Sequence, residues 1–245
     1  RKSYKIMTVH YKTEGLVFKS VDRLEADKTF SVFSKDFGRI EIFGKSIRKI
    51  DSKLKSGIEI FSLSDIQFIQ GKNRKTLTDA LFVDKFKNIK KNPEKFEIAI
   101  RISNLVDDFI KGEEKDLGIF NLLNSTLNKL NNSLVHSLLI YYYFFWNFVF
   151  ILGHGPELFK CSACNQKLNP DNLYFSNKDG GTICENCYVS KKYSIEVKSD
   201  IIKILRLILK DEWNTLIKLK IEEKNIKLLN EISDSYLKYL LEYRI

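Results

Sequence analysis

The chain has 245 residues, 44% of them hydrophobic, with four Cys and three Pro. This excludes a disordered or collagenous chain, and the cysteines are too sparse for a disulfide scaffold. Lys and Arg number 41 against 31 Asp and Glu, a formal net charge of +10 that favours an anionic partner, nucleic acid or an acidic membrane surface.

An AT-rich coding sequence also enriches Lys, so the position of the charge matters more than its sum. Residues 1–92 hold 21 basic and 11 acidic side chains, whereas residues 93–245 hold 20 of each. The excess belongs to the first part. A basic module of this size points to nucleic acid ahead of anionic lipid or a merely solvated surface.

Along the chain, Arg1 to Met7 carry charges with no apolar run behind them, so no secretory signal is expected. Met7 is the single methionine and reads as the true start, with residues 1–6 a tag or a misplaced upstream start. The basic module, residues 1–92, reads as β. Short strands are expected at Gly15–Lys19 and Thr29–Ser34, with Asp36-Phe37-Gly38 as the turn to Arg39–Phe43. A basic loop runs from Gly44 to Gly57. Ile58–Leu63 and Ile66–Ile69 read as one bent strand. Gly71–Arg74 is a turn and Leu77–Val83 a last strand. Five short strands with no room for a packed helix pair predict a small barrel of OB type.

The second part reads as helical, over 93–111, 116–131 and 134–152. Pro93 stands at a first helical position, Ser199 caps a helix from Asp200 to Lys210, and the last 25 residues form an amphipathic helix. Its apolar face is Ile226, Leu229, Ile232, Tyr236, Tyr239 and Leu240. Leu134–Leu152 carries no charge and as a helix would span about 28 Å. Its aromatics, Tyr141 to Trp146, sit mid-span, whereas membrane helices concentrate Tyr and Trp at the interfaces. It is therefore expected to be a central buried helix, with no membrane contact.

Cys161, Cys164, Cys184 and Cys187 form C-x2-C-x19-C-x2-C. Each pair can aim two sulfurs at one metal, and the spacer suffices for a short hairpin that returns the second pair to the first. Four thiolates make a closed tetrahedral site, so one structural Zn²⁺ is expected. Paired disulfides, a redox dithiol and an iron–sulfur cluster are the competing uses; no thioredoxin-like context surrounds either pair. All four cysteines in one motif imply a reducing compartment. His154 is near in sequence but not needed as a ligand, and reads as a core or helix-end residue.

Two clusters concentrate the charge. Lys45, Arg48, Lys49, Lys53 and Lys55 share the first with a single Asp51, and Lys72, Arg74 and Lys75 form the second. With Lys35 and Arg39 these are the expected DNA contacts, giving salt-sensitive binding with weak sequence preference. Phe30, Phe33, Phe37 and Phe43 suit the core or base stacking, the core being the commoner use. Only His10, His136 and His154 occur, and no zincin, nucleophile-elbow or Walker motif is present. Asp107-Asp108 and Glu113-Glu114 read as solvated helix ends. No catalytic constellation is visible, so a binding function is expected.

Several stretches together resemble the RecO family of bacterial recombination mediators. They are Asp27-Lys28 with Val32–Ile40, the loop Gly44-Lys45 to Arg48-Lys49, Leu152–Leu158 running into Cys161–Asn165, and Phe175-Ser176 before Gly180-Gly181 and Cys184. Ser46 departs from a position where a second Gly is common in that family, and the C-terminal helix stops at Ile245 without a longer basic tail. The resemblance implies an α+β multidomain chain. An OB-type barrel (1–92) is followed by a helical domain (93–158 and 189–245) with an inserted four-cysteine zinc module (159–188). It implies a cytoplasmic, nucleoid-associated, non-enzymatic protein. That protein binds single- and double-stranded DNA, anneals strands, and with RecR helps RecA load on DNA coated by single-strand-binding protein. The acidic, apolar C-terminal tail of the latter would be received by the helical domain. The alternative is a zinc-ribbon protein bound to RNA or polymerase. A metal-dependent nuclease is disfavoured because a four-cysteine site is closed.

Overall fold

The computed structural model describes residues 9–189 and 194–243; the Met7 start and Ile245 lie outside them. The chain divides into two compact units, Arg1–Ser133 and Leu134–Ile245.

In the first unit, strands β1 (His10–Arg23), β2 (Asp27–Ser34), β3 (Gly38–Gly44), β4 (Ser62–Gln70) and β5 (Lys75–Asp84) form a closed barrel in the order β1-β2-β3-β5-β4. Alternating apolar residues fill it, with Val17, Phe30, Val32, Ile40, Ile42, Ile66, Phe68 and Leu77 all buried. Phe30 and Phe33 are thus core residues, while Phe37 and Phe43 are half-buried.

Two strand expectations need correction. The first strand is not short: β1 runs 14 residues, and an irregularity between Val17 and Lys19 breaks the period that would have revealed it. Residues 58–61 are not strand. Phe61 takes φ 53° and donates its N–H to the Val17 carbonyl at 2.7 Å. Its buried ring meets Phe96 edge-on at 5.3 Å, while Ile58 joins the barrel core, so these residues are drawn to different partners instead of extending β4. Ser46 also has a left-handed φ, 53°, and donates its N–H to Asp27 Oδ1 at 2.7 Å. A glycine would meet that φ without steric cost.

Helix α1 (Lys87–Lys91) leads to α2 (Pro93–Phe109), where Asn92 accepts the Lys95 N–H and Pro93 opens the first turn. After residues 110–116, Asp116 caps α3 (Leu117–Asn132) by accepting the Ile119 N–H at 2.9 Å. Asp107, expected to be solvated, is instead held by Lys19 at 2.6 Å and Arg39 at 2.7 Å. Burial raises its pKa, but hydrogen bonds and charge from Lys19 and Arg39 outweigh that and hold it below the usual aspartate value.

The second unit is built around α4 (Ser137–Val149), which continues as a π-helical turn, Phe150–His154. The helix starts later than Leu134, which is exposed, because His136 caps it through Nδ1. Ser137–His154 is long and apolar enough to cross a membrane, yet 61% of it is buried within the chain. Its polar atoms have partners: Trp146 Nε1–H donates to Ser233 Oγ at 3.1 Å, and the Tyr142 and Tyr143 hydroxyls donate to Asn230 and Asp211. Strands β6 (Leu173–Ser176) and β7 (Gly181–Cys184) form a hairpin, followed by α5 (Glu185–Val189) and β8 (Ile195–Val197), which pairs with β6. Helices α6 (Ser199–Leu209), α7 (Trp213–Leu216) and α8 (Glu223–Tyr243) complete the unit. Ser199 is the first residue of α6 and not its cap; Lys198 holds that position with no side-chain bond. On α8, Leu229, Ile232, Tyr236 and Leu240 are fully buried, as the periodicity predicts, and His154 sits at a helix end, its carbonyl accepting the Tyr236 hydroxyl at 2.8 Å.

Gly57 has no room for a side chain, since a Cβ would lie 1.7 Å from the Ala80 carbonyl oxygen, while one on Gly112 would meet nothing nearer than 3.9 Å. Gly57→Ala should cost about 1–3 kcal/mol and Gly112→Ala less than about 0.5, read by urea unfolding. The depressed pKa of Asp107 makes its contribution full above the ordinary aspartate value and lost as pH falls through the folded value. Asp107→Asn should therefore cost about 1–2 kcal/mol at neutral pH, with the gap to wild type closing in acid unfolding titrations.

Candidate nucleic-acid interface and metal centre

The basic residues of the barrel fall into two groups. Lys28, Arg48 and Lys55 line one cavity of about 520 Å³, beside the β1–β2 hairpin. Lys45 and Arg74 line a second of about 440 Å³ with Arg23, Leu24, Asp27, Thr29 and Phe43. Lys72, Arg74 and Lys75 line a third of about 380 Å³ that shares Thr29, Phe43 and Arg74 with the second, so the two are continuous. Lys49 and Lys53 stand exposed on the same 44–57 loop, Lys53 and Lys55 in a single 3₁₀ turn. The Arg74 guanidinium lies 3.8 Å over the half-exposed Phe43 ring. The guanidinium thus covers one face of Phe43 and turns its own outer face to the groove, a planar cation on which an unpaired base can stack.

Lys35 and Arg39 lie toward the turn of the β2–β3 hairpin, Lys35 about 23 Å along the strand from Lys28 and Arg39 about 13 Å from Phe43. Lys35 pairs with Glu14 at 3.1 Å, and Arg39 with Asp107 and Glu41. Lys75 is also paired, to Glu113. By contrast, Lys45, Lys49, Lys53, Lys55, Lys72 and Arg74 make no ion pair within the described residues. Arg23 and Lys28 were missed by sequence reasoning. The β1–β2 register, hidden by the bulge, pairs Arg23 with Asp27 and Asp22 with Lys28, which sets Arg23 on the cavity with Phe43 and Arg74 and Lys28 on the cavity with Arg48 and Lys55. Asp22 moderates this end: Lys28 at 3.0 Å and Arg48 at 3.3 Å bind its carboxylate, and the Lys28 hydrogen bond above all holds its pKa down.

The four cysteines converge as their spacing predicts. Their sulfurs lie within 4.8 Å of one another, and Cys164 and Cys184 are 3.8 Å apart. No disulfide joins them. A tetrahedral ion with metal–sulfur bonds of about 2.3 Å requires sulfur separations of about 3.8 Å, so the set fits one metal ion. The β6–β7 hairpin returns the second pair to the first. Gly181 makes this possible: its φ is 154°, and a Cβ there would lie 2.3 Å from the Glu157 carbonyl oxygen. Glu157 bonds through its backbone to Gly180 and Thr182, locking the 155–157 junction onto the hairpin. Burial raises the Cys161 pKa, but backbone N–H groups, led by that of Cys184, reverse this and hold it at about 6. Cys187 is pushed up to about 12 by burial and by its neighbouring sulfurs.

Comparison with known proteins agrees with the motifs. The family described as Recombination protein O N terminal matches residues 7–86, and Recombination protein O C terminal matches residues 91–245. The chain is 31% identical over 232 residues to the DNA repair protein RecO of Dehalococcoides mccartyi, covering 95% of this chain and 91% of the relative. It is 25% identical over 233 residues to that of Acetivibrio thermocellus, with 95% and 92% covered, and 26% identical over 235 residues to that of Desulforamulus reducens, with 96% and 91% covered. The barrel, the helices after it and the cysteine hairpin all fall inside these matches, and the chain belongs to the RecO family of DNA repair proteins.

Proposed function

We propose that this chain is a non-enzymatic recombination mediator whose barrel, read as an OB-type fold, binds single- and double-stranded DNA. The observation that carries the reading is the gathering of Lys45, Lys72 and Arg74 on two connected cavities around Phe43, with Arg48 and Lys55 on a separate cavity of the same barrel, in a chain of the RecO family. Lysines and arginines hold a strand by its phosphates, which carry no sequence information. Bases resting on Phe43 and Arg74 keep their pairing edges available, which suits annealing. Lys49 and Lys53 extend the contact, and Lys35 and Arg39 are outlying positions. Reaction chemistry is not needed for any of this.

The cysteine set is read as a closed site for one structural Zn²⁺, within a module spanning residues 159–188. Bound zinc supplies four strong bonds that staple the two cysteine turns, and leaves no open position for a substrate. The remaining parts, 1–92 as barrel and 93–158 with 189–245 as helical domain, are assigned to DNA and to protein partners respectively. The partners are RecR, with which RecA is helped to load on coated DNA, and the C-terminal tail of single-strand-binding protein. The setting is the cytoplasm, at the nucleoid. Burial of most of Ser137–His154 supports the absence of a membrane role.

Three outcomes are expected. Neutralising Lys45, Arg48 and Lys49 together should weaken DNA binding and reduce the log–log salt slope by about 2 for a single strand, measured by fluorescence anisotropy across a salt series; unchanged binding rejects this surface. The protein should anneal complementary strands coated with cognate single-strand-binding protein in the presence of RecR. No annealing with or without RecR removes the mediator reading. Elemental analysis should find about one Zn per chain, reduced by Cys164→Ser; a folded, reduced sample without metal overturns the zinc assignment.

A further inference from the structure

Lys75 differs from its neighbours in the groove. Lys72 is exposed, and Arg74 lies over Phe43, whereas the Lys75 side chain is only 13% exposed. Its Nζ meets both carboxylate oxygens of Glu113, Oε1 at 2.5 Å and Oε2 at 2.7 Å. Glu113 itself is 57% exposed and lines the same cavity as Lys72, Asn73 and Arg74. Two oxygens chelating one ammonium is also how the two free oxygens of a phosphodiester would sit.

The stretch that carries Glu113 does not depend on this contact for its place. Asp107 fixes it on one side through Lys19 and Arg39, and Asp116 caps α3 on the other. Between them the Glu114 backbone fills the space that a side chain on Gly38 would need, with its carbonyl oxygen 1.9 Å from the ideal Cβ position. The Glu113 side chain can therefore leave Lys75 while its backbone stays where it is. The energetic scale agrees. With Glu113 more than half exposed, the pair is open to solvent on its carboxylate side, and contact is favoured by a factor on the order of 1.5 to 5.

We propose that Lys75 is a phosphate subsite of the groove, occupied by the chain's own Glu113 carboxylate until a nucleic-acid phosphate displaces it. This rests on reading the barrel as the DNA-binding face. Glu113 then acts as an internal competitor that lowers DNA affinity at low salt and favours release. Added salt screens the Lys75–Glu113 pair, so the competition fades as ionic strength rises.

The test compares four variants of the full chain with wild type, using a labelled oligothymidylate in a salt series. Glu113→Gln is expected to tighten binding about 1.5- to 5-fold at low salt, with the curves converging as salt rises. Glu114→Gln removes the same charge one residue away, from a side chain in no ion pair within the described residues, and is expected to gain less. Lys75→Gln is expected to weaken binding, and Lys75→Gln with Glu113→Gln to bind no better than Lys75→Gln alone. Thermal melting checks that each variant is folded. An equal gain from Glu114→Gln, no gain from Glu113→Gln, or a gain that survives loss of Lys75 overturns the subsite. Where wild type binds and neutralising Lys45, Arg48 and Lys49 weakens it, those results reject the subsite alone; no binding by wild type or Glu113→Gln rejects the DNA-binding face with it.

Discussion

Closure of the barrel depends on a single strand being long enough for two partners. β1 pairs with β4 from His10 to Val17 and with β2 from Gly15 to Arg23, so its middle is bonded on both sides. The strand must bend there to turn from one neighbour to the other. Gly15 supplies the space, since a Cβ would come within 2.4 Å of Val32 Cγ1, and the irregularity after Val17 supplies the bend. The far end of β1 then carries Arg23 and Leu24 to the groove that also holds Phe43 and Arg74, while Asp22 lines the other cavity with Lys28 and Arg48. Without the long, bent strand, the basic loops would have no common floor.

Charge on this barrel is sorted by what faces it. Where the α2 end and the 110–116 stretch approach, Lys19, Arg39 and Lys75 meet Asp107 and Glu113. On the 44–57 loop and the 71–74 turn, five lysines and Arg74 meet no carboxylate within the described residues. A net charge counts both groups alike, although only the second is available to a partner at no electrostatic cost. The +10 of the sequence is thus divided between holding the unit together and facing solvent.

Features whose cause is local were legible in the sequence. Alternation revealed β2 and β3, Asn92-Pro93 the start of α2, and the cysteine spacing the convergent sulfurs. Features set by a distant partner were not. The length of β1 is decided by β4 and β2, the burial of Ile58 by the barrel interior and of Phe61 by Phe96, and the ion pairs of Asp107 and Glu113 by strands 38 or more residues away. Arg39 and Lys75 looked equivalent to Lys72 in composition, and only the fold separates them. The aromatic helix α4 is an intermediate case. Its burial follows from its composition, but Ser233, Asn230 and Asp211, which receive its polar groups, could not be named from its own residues.

One seam of the barrel is much shorter than the rest. β3 and β5 run parallel and share only Ile42–Lys75 and Phe43–Thr76, whereas the other seams extend over seven or eight residue pairs. Phe43 lies on one side of that seam, and Arg74 and Lys75 open the strand on the other. A molecule lying across Phe43 and Arg74 therefore bridges the two edges that the backbone joins least, and its binding energy adds to the energy of closure. The groove is a clasp as well as a contact surface: whatever fills it also holds the barrel shut.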